Sequence, residues 1–381
     1  MIKRKITFWV ILIALNTITL SYPYQDKTRH TELLSLYKKG TLVCTPDPEF
    51  AKGMDWGSLF FDSHRQIKAA PDGTIFVSNQ RDHSISQFSP DGIFQKKFGK
   101  KGKGPGDMEL PGNMSVLDER FLVISDRIPN HRINLFHLDG TFHKMLKTQR
   151  PPSFPEALSK NKIAYINSIG RPPGRADSLI FRYLRKVIIK DIQSGEEKEV
   201  TEYITSLNPI KDGTVIIART GEGQLLVGMN LKPELDIYDL SGQKIRSITL
   251  DISPLRVNDK IRKNHQMRFT VTRNGKPSTK NAPMGDYLPY YRDLYVDSQG
   301  NILVFLMTED PKKGPFPLQV YSHEGKFICQ TQLDTGDFLF QPNPKFNKFD
   351  FTDKGIFFIL HKKGDELETP HLVRIKNGSA T

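Results

Sequence analysis

The chain has 381 residues, 55 Lys and Arg against 42 Asp and Glu, a formal charge of +13, and two cysteines. Two cysteines exclude a disulfide-stapled scaffold, so a hydrophobic core must hold the chain together. A strong positive balance points to nucleic acid in a cytoplasmic protein, and after export to anionic glycans, lipids or acidic proteins.

At the N-terminus, Lys3, Arg4 and Lys5 precede the apolar run 6–15, and Thr19 and Ser21 are small residues before Tyr22. That pattern predicts a secretory signal over residues 1–21. The run is shorter than the roughly 20 residues of a spanning helix, so no transmembrane segment is expected in the mature chain. Residues 22–39 read as an N-terminal extension with a short helix near 31–39, and residues 40–381 as the folded domain. The expected product is an exported monomer, periplasmic or extracellular, for which nucleic acid is a disfavoured partner. Cys44 and Cys329 are expected to be separate buried thiols rather than a bridge.

The segment 71–99 repeats in 117–147. Aligned on Phe88 and Phe136, Asp82-His83-Ser84-Ile85 falls on Asn130-His131-Arg132-Ile133, and Asp91-Gly92 on Asp139-Gly140. Each unit reads as turn, β-rich run, polar loop, alternating strand, Asp-Gly turn and alternating strand, a hairpin signal. Second strands are read at Thr74, Arg120, Lys162, Thr214, Asn301 and Ile356, and third strands at Ser84, Arg132, Arg185, Glu234, Pro317 and His371. Six such units predict an all-β, six-bladed propeller of four-stranded antiparallel blades. The last unit lacks a fourth strand, and the segment from Gly40 is expected to supply it and close the ring.

Between the first two units, "FGKKGKGPGDMELPG" (98–112) is rich in glycine and lysine, but Pro105 stands where a phosphate-binding loop needs Lys. It reads as a blade-to-blade connector. "GKGPGDMELP" resembles the G-x-G-P-G-[EQ]-F-x-x-P connector of NHL-type propellers and of bacterial secreted six-bladed β-propeller proteins, and "DHSI" and "NHRI" match the NHL repeat motif. The resemblance is specific over 67–147 and looser over 288–304. It implies relatives of two kinds: lyases and channel-centred hydrolases or lactonases, some holding calcium, and propellers that only bind.

In such blades the short Asp-Gly turns share one face, and the 2–3 loops and blade connections share the other. The long segments 167–183, 218–233, 307–316 and 361–370 are placed on the second face, which is therefore the expected site. Arg171 and Arg175 are loop-borne ligand candidates there. An insert at 252–290, between blades four and five, carries eight Lys and Arg over 256–280 against the single acid Asp259. Arg262, Lys263 and Arg268 represent a basic arm, and Tyr290, Tyr291 and Arg292 close it. His83 and His131 recur at equivalent repeat positions and read as hairpin caps. Asp82, Asp126 and Asp297 are carboxylates that calcium accepts, but turn chemistry accounts for each more simply. No catalytic or metal set is assigned. The expected function is recognition of an anionic or carbohydrate-like ligand on the long-loop face. A channel-centred metal-dependent lyase or hydrolase and a cell-envelope scaffold stand as alternatives.

Overall fold

The computed structural model describes residues 27–43, 47–55, 66–159, 161–171, 182–206, 208–273, 276–311, 313–334, 336, 338–339, 349–352, 355–362 and 370–375. The signal, Cys44 and Arg175 lie outside them, as do 172–181 and 363–369 of the long segments. Helix α1 (Lys27–Lys38) and strand β1 (Leu42–Val43) come first. Blade one is β2 (Gln66–Ala69), β3 (Ile75–Asn79), β4 (Ser84–Phe88) and β5 (Phe94–Phe98). Blade two is β6 (Pro111–Leu117), β7 (Phe121–Asp126), β8 (Arg132–His137) and β9 (Phe142–Lys147). Blade three is β10 (Pro152–Ala157), β11 (Lys162–Arg171), β12 (Arg182–Asp191) and β13 (Glu197–Ser206). After α2 (Pro209–Asp212), blade four is β14 (Val215–Arg219), β15 (Leu225–Met229), β16 (Glu234–Tyr238) and β17 (Lys244–Thr249). The insert folds as α3 (Asp259–His265) and the hairpin β18 (Arg268–Arg273) and β19 (Lys276–Asn281). Blade five is β20 (Tyr291–Val296), β21 (Ile302–Leu306), β22 (Phe316–Tyr321) and β23 (Phe327–Asp334). A last sheet holds β24 (Phe338–Leu339), β25 (Phe349–Thr352), β26 (Gly355–Lys362) and β27 (Pro370–Ile375).

The protein is an all-β propeller with four-stranded antiparallel blades, each a meander in chain order. First strands of successive sheets touch around a common axis, from β20 through β14, β10, β6 and β2 to β25. Middle strands such as β3 and β7 are buried at every position, because each is covered by a blade on both faces. The core is therefore a series of apolar layers between blades, as where Phe76 and Ile85 meet Met114, Leu122 and Ile124. Outer strands are polar: β5 reads Phe-Gln-Lys-Lys-Phe, which keeps its free edge from pairing with other chains.

The turns between third and fourth strands of blades one, two, four and five, Asp-Gly in the first two, Ser241-Gly242 and Glu324-Gly325 in the others, have one geometry. Register slips by one residue before the turn at Gln87/Phe88, Leu135/Phe136, Ile237/Tyr238 and Val320/Tyr321. Each slip is followed by a glycine at positive φ, between 76° and 85°, at Gly92, Gly140, Gly242 and Gly325. This is a bulged hairpin that only glycine adopts without strain. The turn also presses on the preceding blade: a Cβ on Gly140 would lie 2.8 Å from the Phe98 ring.

The connector 98–112 is built over a buried ion pair. Arg132 is 4 % exposed, and its Nε donates to Asp126 Oδ2 at 2.9 Å. Its other nitrogens donate to the carbonyls of Lys103 at 2.8 Å and Asp107 at 2.6 Å, while Asp126 Oδ1 accepts from the Glu109 and Leu110 amides. The loop turns its carbonyls inward to this arginine, which is the opposite of a phosphate cradle.

Three expectations need correction. Among the described residues five complete blades are present rather than six: in the last sheet β26 lies between β27 and an edge formed by β25 and β24. The N-terminal strand does not complete that sheet. β1 pairs parallel with β23, Leu42 opposite Leu333, making blade five a mixed five-stranded sheet. The cause is α1, whose Leu33 and Tyr37 pack with Leu42 on Leu303, Phe305 and Leu318. Tyr37 also donates to Asp297 Oδ2 at 3.0 Å, fixing the following strand at that edge. Closure toward blade one comes further along the chain. The Asp47 amide donates to the Arg374 carbonyl at 2.8 Å, the Asp47 carboxylate accepts from Arg374 Nη2 at 2.7 Å, and Arg374 Nη1 donates to the Pro90 carbonyl at 3.0 Å. Phe50 lies under the Arg374 guanidinium and against Gly92, where the other turns meet an outer strand. Finally, Val215–Arg219 is the first strand of blade four and not its second, and 218–233 is no loop but contains β15. β15 is apolar and fully buried, and the turn at Gly223 (φ 77°) brings it back beside β14. No helix among the described residues is long and apolar enough to cross a membrane.

Candidate functional site

The insert is docked on the long-loop face. Ile261 of α3 packs with Leu288 and Met307, flanked by Ile210, Leu255 and Met284. Asn258 caps the helix, its side chain accepting from the Ile261 amide at 2.8 Å. Lys260 pairs with Glu309 at 2.6 Å and His265 Nε2 meets the Thr308 carbonyl at 2.7 Å, so the arm is pinned to the β21–β22 loop. Arg262, Lys263 and Arg268 are exposed, and none makes an ion pair among the described residues.

The remaining expected residues come from different elements. Arg171 ends β11 opposite Arg182. Arg292 is half-buried, donates from Nη1 to the Pro311 carbonyl at 3.0 Å, and is pulled down to about 10 by burial. Its neighbour Asp293 is 3 % exposed, and burial pushes it up to about 7 although the Leu294 amide and Arg292 oppose the shift. Tyr290 lines a cleft of about 250 Å³ with Asp251, Ser253, Leu255 and Gln330, smaller than the roughly 300–1,000 Å³ usual for ligand pockets. Tyr291 is wholly buried in the layer between blades four and five, its hydroxyl unpaired and close against Gly228. It packs, and has no surface to offer a ligand.

Two further arginines on this face carry no repeat signal in the sequence. Arg127 follows β7 in its 2–3 loop; burial pulls its guanidinium down, and its Nε is buried without a hydrogen-bond partner. Arg185 lies on the part of β12 that overhangs β10, donating from Nε to Thr205 Oγ1 at 3.2 Å and from Nη1 to Ser168 Oγ, with its guanidinium 5.1 Å from the Tyr183 ring. Burial lowers it first, and the charge of Arg127 lowers it further. Neither arginine has a carboxylate partner among the described residues.

A second group is equally hidden in the sequence. On the axis, near the short-turn mouth, Lys68 Nζ bonds Asp350 Oδ1 at 3.0 Å and the Ala69 amide bonds Asp350 Oδ2 at 2.7 Å. Burial opposes the Lys68 charge most strongly, but the charge of Asp350, the charge of Glu156 and the hydrogen bond to Asp350 together hold the ammonium above its usual range. Glu156 stands near this pair and Arg219, and burial pushes it up to about 7 against the pull of Lys68.

The residues read as caps or calcium ligands have local roles. His83 and His131 adopt positive φ, 54° and 47°, at the 2–3 loops, and His83 Nδ1 meets the Glu109 carbonyl at 2.7 Å. Asp297 Oδ1 accepts from the Gln299 and Asn301 amides, and Asp82 pairs with Lys97 at 2.7 Å. Among the described residues no group of three His, Cys, Asp or Glu side chains comes together to hold a metal ion. Cys329 is a free, half-buried thiol.

No family profile matches the chain, and no curated protein matches its sequence. Solved structures with a similar trace include a Bacteroides fragilis protein assigned as exported, at 12 % identity over 83 % of this chain and 91 % of that one, TM-score 0.47. A member of the DUF4221 family from Bacteroides vulgatus aligns at 12 % identity over 83 % and 94 %, TM-score 0.46. A streptogramin B lyase aligns at 15 % identity over 83 % and 94 %, TM-score 0.42. At these scores the likenesses do not bear on function.

Proposed function

We propose that the protein is an exported binding module that takes an anionic, carbohydrate-like ligand on the long-loop face of the propeller. The observation that carries this reading is the pair Arg127 and Arg185, two half-buried cations on that face with no carboxylate partner among the described residues. A partly desolvated charge without a counter-ion is unfavourable, and an incoming anion relieves it. Arg262, Lys263 and Arg268 on the pinned arm add long-range attraction. Arg171, Arg175, Tyr290 and Arg292 complete the proposed contact set.

The test is thermal unfolding of the chain from Tyr22 onward with sulfated and neutral glycans at low and high salt. A ligand at 100 times its dissociation constant adds about 2.7 kcal/mol, enough to move the midpoint visibly. A salt-sensitive rise with the sulfated glycan alone is expected; equal responses to both glycans, or none, would defeat the reading. A channel-centred lyase or hydrolase has support from one observation, Glu156 near neutrality beside Lys68 and Arg219, a setting suited to proton transfer.

A further inference from the structure

We propose that the short-turn mouth of the axial channel, on the side away from the arm, binds a small carboxylate between the Arg219 guanidinium and the Glu156 carboxyl, which donates its O–H. The position follows from the repeat. Turns closed by Ala70 N to Thr74 O, Leu158 N to Lys162 O and Asp297 N to Asn301 O mark the same place in blades one, three and five. Lys68, Glu156 and Tyr295 each stand two residues before that turn, and Arg219 directly precedes the equivalent turn at Thr220. First strands adjoin around the axis, so side chains nearly 300 residues apart in sequence share one mouth.

The groups facing Glu156 are Lys68 from β2, Arg219 from β14, Tyr295 from β20 and Asp350 from β25, while β6 has no charged residue. Asp350 is spoken for: one oxygen takes Lys68 and the other the Ala69 amide. Glu156 and Arg219 make no hydrogen bond or ion pair among the described residues. Burial favours the neutral form of Glu156 near pH 7, and in that form the mouth carries two cations against one anion. An unneutralised guanidinium beside a carboxyl O–H is a donor set for a carboxylate. A cationic ligand would require Glu156 to ionise against its burial and would meet two like charges. Carboxylate binding therefore draws a proton onto Glu156.

Fumarate, which stays a dianion from pH 6 to 8, is a suitable probe. Calorimetric titration of the full chain at pH 7 in imidazole and in Tris reads the proton uptake. Binding with uptake of part of a proton, weakening about fivefold between pH 7 and pH 8, is expected. Glu156→Gln should keep binding and lose the proton uptake. Arg219→Ala, at an exposed position, should weaken binding at least about tenfold with an unchanged unfolding midpoint, and Arg219→Lys should fall between. No heat at 10 mM fumarate, or full binding by Arg219→Ala, would overturn the proposal. So would preference for ethylammonium. Loss of binding in the Arg262→Ala, Lys263→Ala, Arg268→Ala variant with Arg219→Ala unaffected would assign the carboxylate to the arm instead, leaving the long-loop reading standing.

Discussion

Arg132 illustrates how one side chain organises a loop that the sequence marks only by glycines and lysines. Its pair with Asp126 is buried and its remaining nitrogens hold the connector carbonyls. Arg132→Ala leaves Asp126 uncompensated, and a loss of about 3–5 kcal/mol is expected from urea unfolding. Arg132→Lys should recover little, because an ammonium cannot span the same acceptors. A second residue-scale expectation concerns pH. Asp293 is raised from 3.8 to about 7 in the folded protein, so its contribution to stability is full below about pH 4 and is lost as pH rises through 7. The loss is on the order of 4 kcal/mol, since each tenfold change in proton affinity is worth roughly 1.4 kcal/mol. Asp293→Asn, which keeps the acceptor for the Leu294 amide, should flatten the fall in unfolding free energy between pH 4.5 and 7.5; a slope as steep as wild type would show that Asp293 is not its source.

At the scale of elements, the hairpins are the most legible part of the chain, because a polar residue followed by glycine, Asp-Gly in blades one and two, fixes both turn type and register. Gly140→Ala combines positive φ with a Cβ 2.8 Å from Phe98, whereas Gly195→Ala (φ 78°) meets nothing within 4 Å. The second should cost about 1 kcal/mol in unfolding free energy and the first clearly more. Equal costs would mean that the turn does not press on the blade before it. The N-terminal segment is legible as a strand without a partner, but its destination depends on α1 packing against blade five, which no local pattern encodes. In blade four the inner strand reads as the second, since Val215–Arg219 and Leu225–Met229 are both short apolar runs and only their pairing separates them. The insert is legible as a break in the repeat. Removing residues 256–280 should leave the blades unfolding cooperatively with a lower midpoint, as Leu288 and Met307 lose the cover of Ile261. Loss of cooperativity would make the insert part of the blade core.

For the molecule as a whole, propeller architecture can be read from repeated turns, whereas the number of complete blades cannot. The last unit has the strand pattern of a blade but shares β26 between two partial neighbours on one side. The charged groups of the candidate sites are the least legible, for a geometrical reason. Arg127 and Arg185 come from different blades, and Lys68, Glu156, Arg219 and Asp350 from four separate sheets. Each looks like an ordinary surface residue in its own strand or loop, and only closure around the axis brings them together. The arm is visible because its basic residues are contiguous. The most direct measurement is the calorimetric affinity of dextran sulfate for wild type and for the Arg127→Ala, Arg185→Ala variant, at 50 mM and 300 mM salt. Salt-sensitive binding that the variant weakens at least about tenfold is expected, with unsulfated dextran silent. Wild-type affinity in the variant, or equal binding of unsulfated dextran, would contradict an anion site on the long-loop face.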